Sequence, residues 1–176
     1  SITMSFMIGG CSSIGGDNNV VHMKLAHNMS EDHPIHESLA EFERLVEEKS
    51  KGSIDIEIYP NGVLGSEREM IELTQTGAID IAKVSTGALE SFEKQYTTFG
   101  IPYIFNDLDH YYSVMDDRDL MGELYNSTEE SGFIGLTYYD SGVRSLYTNS
   151  KAIMKPSDLK GLKIRVQQSP TAIKMI

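Results

Sequence analysis

The segment Val20-Val-His-Met-Lys-Leu-Ala26 alternates apolar and polar positions, the period-two pattern of a strand. Pro34 then opens a helix whose apolar positions Ile35, Leu39, Phe42, Leu45 and Val46 recur at three- and four-residue spacing, with Gly52 as its stop. Ile54-Asp-Ile-Glu-Ile-Tyr59 is strictly alternating, a half-buried strand closed by the turn Pro60-Asn61-Gly62. Ser66 and Glu69 have capping-box spacing ahead of a helix bearing Met70, Ile71 and Leu73, which Gly77 ends. Ala78 to Val84 reads as the next strand. Strand and helix in alternation, joined by short connections, predict βαβ units on a parallel sheet and an α/β fold.

Further along, Phe99 to Phe105 reads as an apolar loop, and Asp107 as the cap of a helix bearing Leu108, Tyr111, Tyr112 and Met115. Another helix is predicted from about Asp119 to Glu130, ahead of Gly132. Three more segments have strand composition: Phe133–Tyr139, Val143–Thr148 and Leu162–Val166. Pro170 to Ile176 reads as the first turns of a helix with proline in its first turn. That start of a helix, with no cap after it, points to a portion of a longer protein.

Composition narrows the partners. Of 176 residues, 15 are Lys or Arg and 26 are Asp or Glu, giving a formal net charge of −11. Such a surface repels phosphate backbones and argues against nucleic acid as a partner, yet leaves room for a small anion held by a few local arginines. The single cysteine, Cys11, excludes an internal disulfide framework. It follows a mostly apolar stretch and two glycines, and Ile8-Gly9-Gly10-Cys11 resembles the lipobox at which bacterial lipoproteins are cleaved and lipidated. On that expectation residues 1–19 comprise a signal-peptide remnant, the lipidated Cys11 and a polar tether, and the protein works outside the cytoplasmic membrane, anchored by acyl chains.

Chemistry-bearing clusters are sparse. His22, His27, His33 and His36 invite a metal reading, but Pro34 interrupts the closest pair and no second ligand pair follows, so no metal is expected. There is no Gly-x-Ser-x-Gly elbow and no P-loop. Asp116/Asp117 and Glu129/Glu130 read as solvated helix ends rather than paired acid–base groups.

Four motifs occur in order: Tyr59-Pro-Asn-Gly-Val-Leu-Gly-Ser-Glu-Arg68, Gln75-Thr-Gly-Ala-Ile-Asp-Ile81, Pro102-Tyr-Ile-Phe105 and Asp158-Leu-Lys-Gly-Leu-Lys-Ile-Arg-Val-Gln167. Together they resemble the DctP-type solute-binding proteins of TRAP transporters, ion-gradient-driven carriers that use no ATP. The resemblance runs from about Lys24 to Ile176. It implies a periplasmic-binding-protein-like fold of class II type, here truncated: two lobes of parallel or mixed sheet flanked by helices. Residues 20–140 would form most of the first lobe and residues 141–176 the start of the second. It also implies capture of a small organic acid, delivery to membrane permease subunits, no cofactor and no catalysis. Two other readings are an ATP-driven importer's solute receptor and an extracytoplasmic enzyme on the same fold.

By this resemblance Arg165 is the carboxylate-binding arginine, with Gln167 beyond it. A guanidinium at a strand end meets a carboxylate with two parallel hydrogen bonds, which an ammonium cannot reproduce. Arg144 is the second cation expected at the cleft, and Asn28 a polar ligand contact. Ser85 and Thr86 end the third predicted strand, where a doubly wound sheet presents ligand groups, with helix capping as the competing use. Glu67 is either a first-turn charge or a contact to a ligand hydroxyl. Tyr103 and Tyr147 are either walls of the cleft or, the favoured expectation, part of core packing, and His27 is expected at a strand end near the cleft. The run Tyr138 to Thr148 resembles members that take sugar acids such as uronates as well as those that take C4-dicarboxylates.

Overall fold

The computed structural model describes residues 20–149 and 151–176. The expected lipobox and tether, Cys11 included, lie outside the described residues. Three parallel strands form one sheet in the order β2-β1-β3, with β1 spanning Val21–His27, β2 Ile54–Tyr59 and β3 Ile81–Lys83. Val21 pairs with Ile54 at one end of the β1–β2 ladder and Ala26 with Tyr59 at the other. The β1–β3 ladder is shorter, running from Leu25 opposite Ile81 to His27 opposite Lys83.

Helix α1 (Pro34–Lys49) connects β1 to β2, and α2 (Glu67–Gln75) connects β2 to β3. Proline at the start of α1 lacks an N–H that would have had no helical partner, and the His33 side chain accepts from Ile35 N at 3.1 Å. Helix α2 starts with the predicted capping box: Glu69 N donates to Ser66 Oγ and Ser66 N donates to Glu69 Oε2. Its C-cap is Thr76, and Gly77 follows at φ +72°, as a glycine stop requires. Helix α1 ends at Ser50, with both Lys51 and Gly52 left-handed.

Because successive strand residues face opposite sides, β1 feeds two cores. Leu25 packs with Ile35, Leu39 and Ile56 beneath α1, whereas Ala26 packs with Met70 and Ile79 beneath α2. A third cluster joins Tyr96, Met115, Met121 and Leu124, built from the 3₁₀ helix Lys94–Gly100 and helices α4 (Leu108–Met115) and α5 (Arg118–Asn126). Between β3 and that 3₁₀ helix lies α3 (Thr86–Leu89), and α6 (Pro170–Met175) comes last.

The predicted second helix after Asp107 is corrected: α5 ends at Asn126, a short 3₁₀ turn spans Glu129–Ser131, and Gly132 then takes φ +85°. The three later strands are also corrected, since 133–139, 143–148 and 162–166 have no regular secondary structure. A β-rich composition makes a strand only where a ladder partner pairs with it, and none of these segments joins the β2-β1-β3 sheet. Residues 133–140 are instead tied down one group at a time. Gly135 N donates to Tyr125 O, the Tyr138 hydroxyl donates to Asp116 and the Tyr112 hydroxyl donates to Asp140.

His27, fully buried at the end of β1, introduces a pH dependence. Met29 N donates to its Nδ1, so the neutral ring carries its proton on Nε2 and donates it to His36 Nδ1 at 3.0 Å. Burial, followed by the neighbouring His36, Lys83 and His33, holds the imidazole below its usual 6.5. The unfolded chain therefore binds more protons between the folded pKa and 6.5. The contribution to stability is full above that window and is lost as pH falls through it. Thermal midpoints should decline below about pH 6.5, and His27→Asn, which keeps an acceptor for Met29 N, should flatten that decline. An unchanged slope in the variant would assign the pH dependence to other groups.

Candidate functional site

The sheet topology places a crevice at one end. The chain leaves β1 for β2 on one side, then crosses back to β3 on the other, so the carboxyl ends of β1 and β3 diverge around a switch point. Asn28 follows β1, Ser85 follows β3, and Glu67 opens α2. All three converge. Glu67 Oε1 accepts from Asn28 Nδ2 at 3.2 Å and from Ser85 N at 3.1 Å, while Oε2 accepts from the Ser85 hydroxyl. A carboxylate in the first turn of a helix is favoured by the helix dipole. Ser85 precedes α3 but makes no side-chain cap there; its hydroxyl donates to Glu67 and its oxygen accepts from Gln167 instead.

The network extends across the chain to the Arg165 segment. Gln167 Nε2 donates to Ser85 Oγ at 3.2 Å, linking positions 82 residues apart. Its Oε1 is buried without a hydrogen-bond partner among the described residues, and lies 2.8 Å from where a Cβ on Gly87 would stand. Any side chain at Gly87 would displace that amide. Lys83, at the end of β3, has its ammonium pKa lowered by burial, with the Glu67 charge opposing the shift.

A cavity of about 290 Å³ opens at this junction. Four residues expected from the sequence line it: Asn28, Glu67, Arg165 and Gln167. Ser66, Arg68, Ala88, Ser91 and Gln168 complete the lining. Ser85 and Thr86 are not among the lining residues; Ser85 acts one bond further out, through Glu67 and Gln167. Arg144 is exposed on the irregular 141–149 segment and does not line the cavity. The core packing expected for two tyrosines is corrected: Tyr103 is 98% exposed and Tyr147 95%.

Arg68 is the main addition. Its Nε donates to Glu72 at 3.0 Å and its guanidinium stands 5.4 Å from the centre of the Phe92 ring, a cation–π contact that fixes the side chain at the cavity wall. Its place at the end of the Tyr59–Arg68 motif was the signal that could have found it. Two arginines, Arg165 and the Glu72-paired Arg68, and one carboxylate thus border the cavity on a chain of net charge −11. The remaining polar lining consists of amides and hydroxyls, the groups that pair with a polyhydroxylated solute. Among the described residues, no group of three or more His, Cys, Asp or Glu side chains is placed to hold a metal ion. No helix among them is long and apolar enough to cross a membrane.

Known proteins resemble this chain in sequence and in fold. Residues 25–176 match the family described as bacterial extracellular solute-binding protein, family 7, or DctP. A protein of Salmonella typhimurium called YiiZ, uncharacterized, is 46% identical over 143 residues, covering 81% of this chain and 44% of its own length. The C4-dicarboxylate-binding periplasmic protein DctP of Rhodobacter capsulatus is 33% identical over 153 residues, covering 84% of this chain and 44% of its own. A TRAP periplasmic solute-binding protein of Anaerococcus prevotii, crystallised with bound α/β D-glucuronate, superposes with a TM-score of 0.86 at 45% identity, over 88% of this chain and 50% of its own. The chain spans about half the length of the relatives it matches. With the sheet order, the crevice and the match over residues 25–176 in agreement, the chain belongs to the DctP family of bacterial extracellular solute-binding proteins.

Proposed function

We propose that this chain supplies most of the first lobe, and the opening of the second, of an extracytoplasmic receptor that captures a sugar acid and delivers it to a TRAP-type permease without making or breaking bonds. The observation that carries the proposal is Arg165 at the wall of a cavity shared with Asn28, Glu67 and Gln167. A second guanidinium, Arg68, suits an anion, and the amides and hydroxyls around it suit a solute with several hydroxyls. The likeness to the glucuronate-bound Anaerococcus protein favours a hexuronate over a C4-dicarboxylate. The lobes divide near residue 140 in this reading, with residues 141–176 belonging to the second. Arg144, exposed beyond that boundary, is the cation assigned to the facing wall, and Cys11 is the site of a lipid anchor.

The test is thermal unfolding of the intact protein with D-glucuronate and with succinate. A ligand that binds only the folded state stabilises it by about 2.7 kcal/mol at a hundred times its Kd. D-glucuronate should raise the midpoint in a concentration-dependent way and succinate should raise it less. The reverse order would favour the dicarboxylate class, and no shift with either acid would refute the reading.

A further inference from the structure

We infer that Glu90 is a positioning residue that clasps the segment following Arg165 to the first lobe, a role that rests on the binding reading above. Glu90 is the C-cap of α3 and only 6% exposed. Its Oε1 accepts from Ser169 Oγ at 2.9 Å and its Oε2 from Thr171 N at 3.3 Å, across separations of 79 and 81 residues. Ser169 is itself 2% exposed, and its Oγ accepts in turn from Ala172 N at 3.0 Å, so one hydroxyl both caps α6 and reaches Glu90. Gly100 leaves the room: a Cβ there would stand 2.8 Å from Glu90 Oε1 and 3.0 Å from Thr171 Cγ2.

Glu90 does not line the cavity, and no salt bridge to it occurs among the described residues. A carboxylate taken this far from water among neutral donors is costly unless those donors are held in place. Ser169 and Thr171 are such donors, and both lie just beyond Arg165. Together with the bond from Gln167 to Ser85, they fix the chain on the far side of Arg165 at two points on either end of α3. The arginine therefore meets its ligand from a backbone already ordered, and binding does not have to supply that ordering.

The experiment pairs hydrogen exchange of the unliganded intact protein with calorimetry using D-glucuronate. In Glu90→Ala, exchange at Thr171 and Ala172 should rise about tenfold or more as local opening becomes easier. Kd should rise about tenfold with it, because the ordering now has to accompany binding. Glu90→Gln keeps the shape and one acceptor, and should recover most of both. Ser169→Ala breaks the clasp from the other side and should move both readouts in the Glu90→Ala direction, a second route should the first variant fold poorly. Unchanged exchange in both breaking variants would refute the clasp. Raised exchange with unchanged Kd would refute its influence on Arg165. Lost affinity in Glu90→Gln with protection intact would mean that the charge, not the anchoring, matters. If the wild-type protein binds no D-glucuronate, the positioning role falls with the binding reading, while the exchange data still decide whether the clasp forms.

Discussion

Arg165→Lys should weaken binding of D-glucuronate by about 2 kcal/mol, roughly thirtyfold in Kd, although the charge is kept. A lysine ammonium is a point charge; it offers one direct contact where the guanidinium fork offers two parallel ones in a plane matched to the carboxylate. The loss should appear mainly in the off-rate, because charge that steers the encounter is unchanged while the contacts that hold the complex are fewer. Arg165→Ala removes both terms and should cost about 2–5 kcal/mol, since the ligand carboxylate is then desolvated without its partner. Neither change should alter the fold appreciably, because Arg165 is exposed at the cavity wall rather than packed in a core. Titration calorimetry of the intact protein reads the effect directly. A Kd within twofold of wild type in Arg165→Ala would remove this side chain from the site.

The sequence marked the parts of the fold that local chemistry determines. Ile54–Tyr59 alternates strictly and is β2 to the residue, the Ser66/Glu69 pair forms its capping box, and Pro170 starts α6 as proline at a first helical position should. What it could not show was pairing. Residues 133–139 and 162–166 have the β-branched and aromatic content of strands, yet neither pairs with the β2-β1-β3 sheet. The same limit applies to the site. Asn28, Glu67 and Arg165 were visible as residue types at the ends of predicted elements. The bonds that tie Glu67 to Ser85 and Ser85 to Gln167, two residues past Arg165, span 18 to 82 residues and leave no periodic trace. Arg68 was hidden differently: it sits inside a helix start whose capping chemistry already accounts for its neighbours, and only the cavity lining draws attention to it.

Leu25→Ala should be the most damaging of simple core truncations, at about 3 kcal/mol of folding stability. Leu25 has no exposed surface, pairs in register with Ile58 on one side and Ile81 on the other, and packs against Ile35, Leu39 and Ile56. With strands on both flanks and α1 above, little can collapse into the space left behind, so a cavity cost adds to the lost transfer free energy. For a urea slope of about 2 kcal/mol/M the midpoint would fall by about 1.5 M. Val21→Ala on the same strand, where the side chain is half exposed, should stay within about 0.5 kcal/mol of wild type. The consequence for binding is separable from that for folding. Leu25 lies under α1, away from the cavity lining, but Asn28 stands three residues further along the chain, just past the end of β1. Where the variant is fully folded, its affinity for D-glucuronate should therefore match wild type; a tenfold loss would mean that β1 shifts as a rigid unit and carries Asn28 out of reach of Glu67.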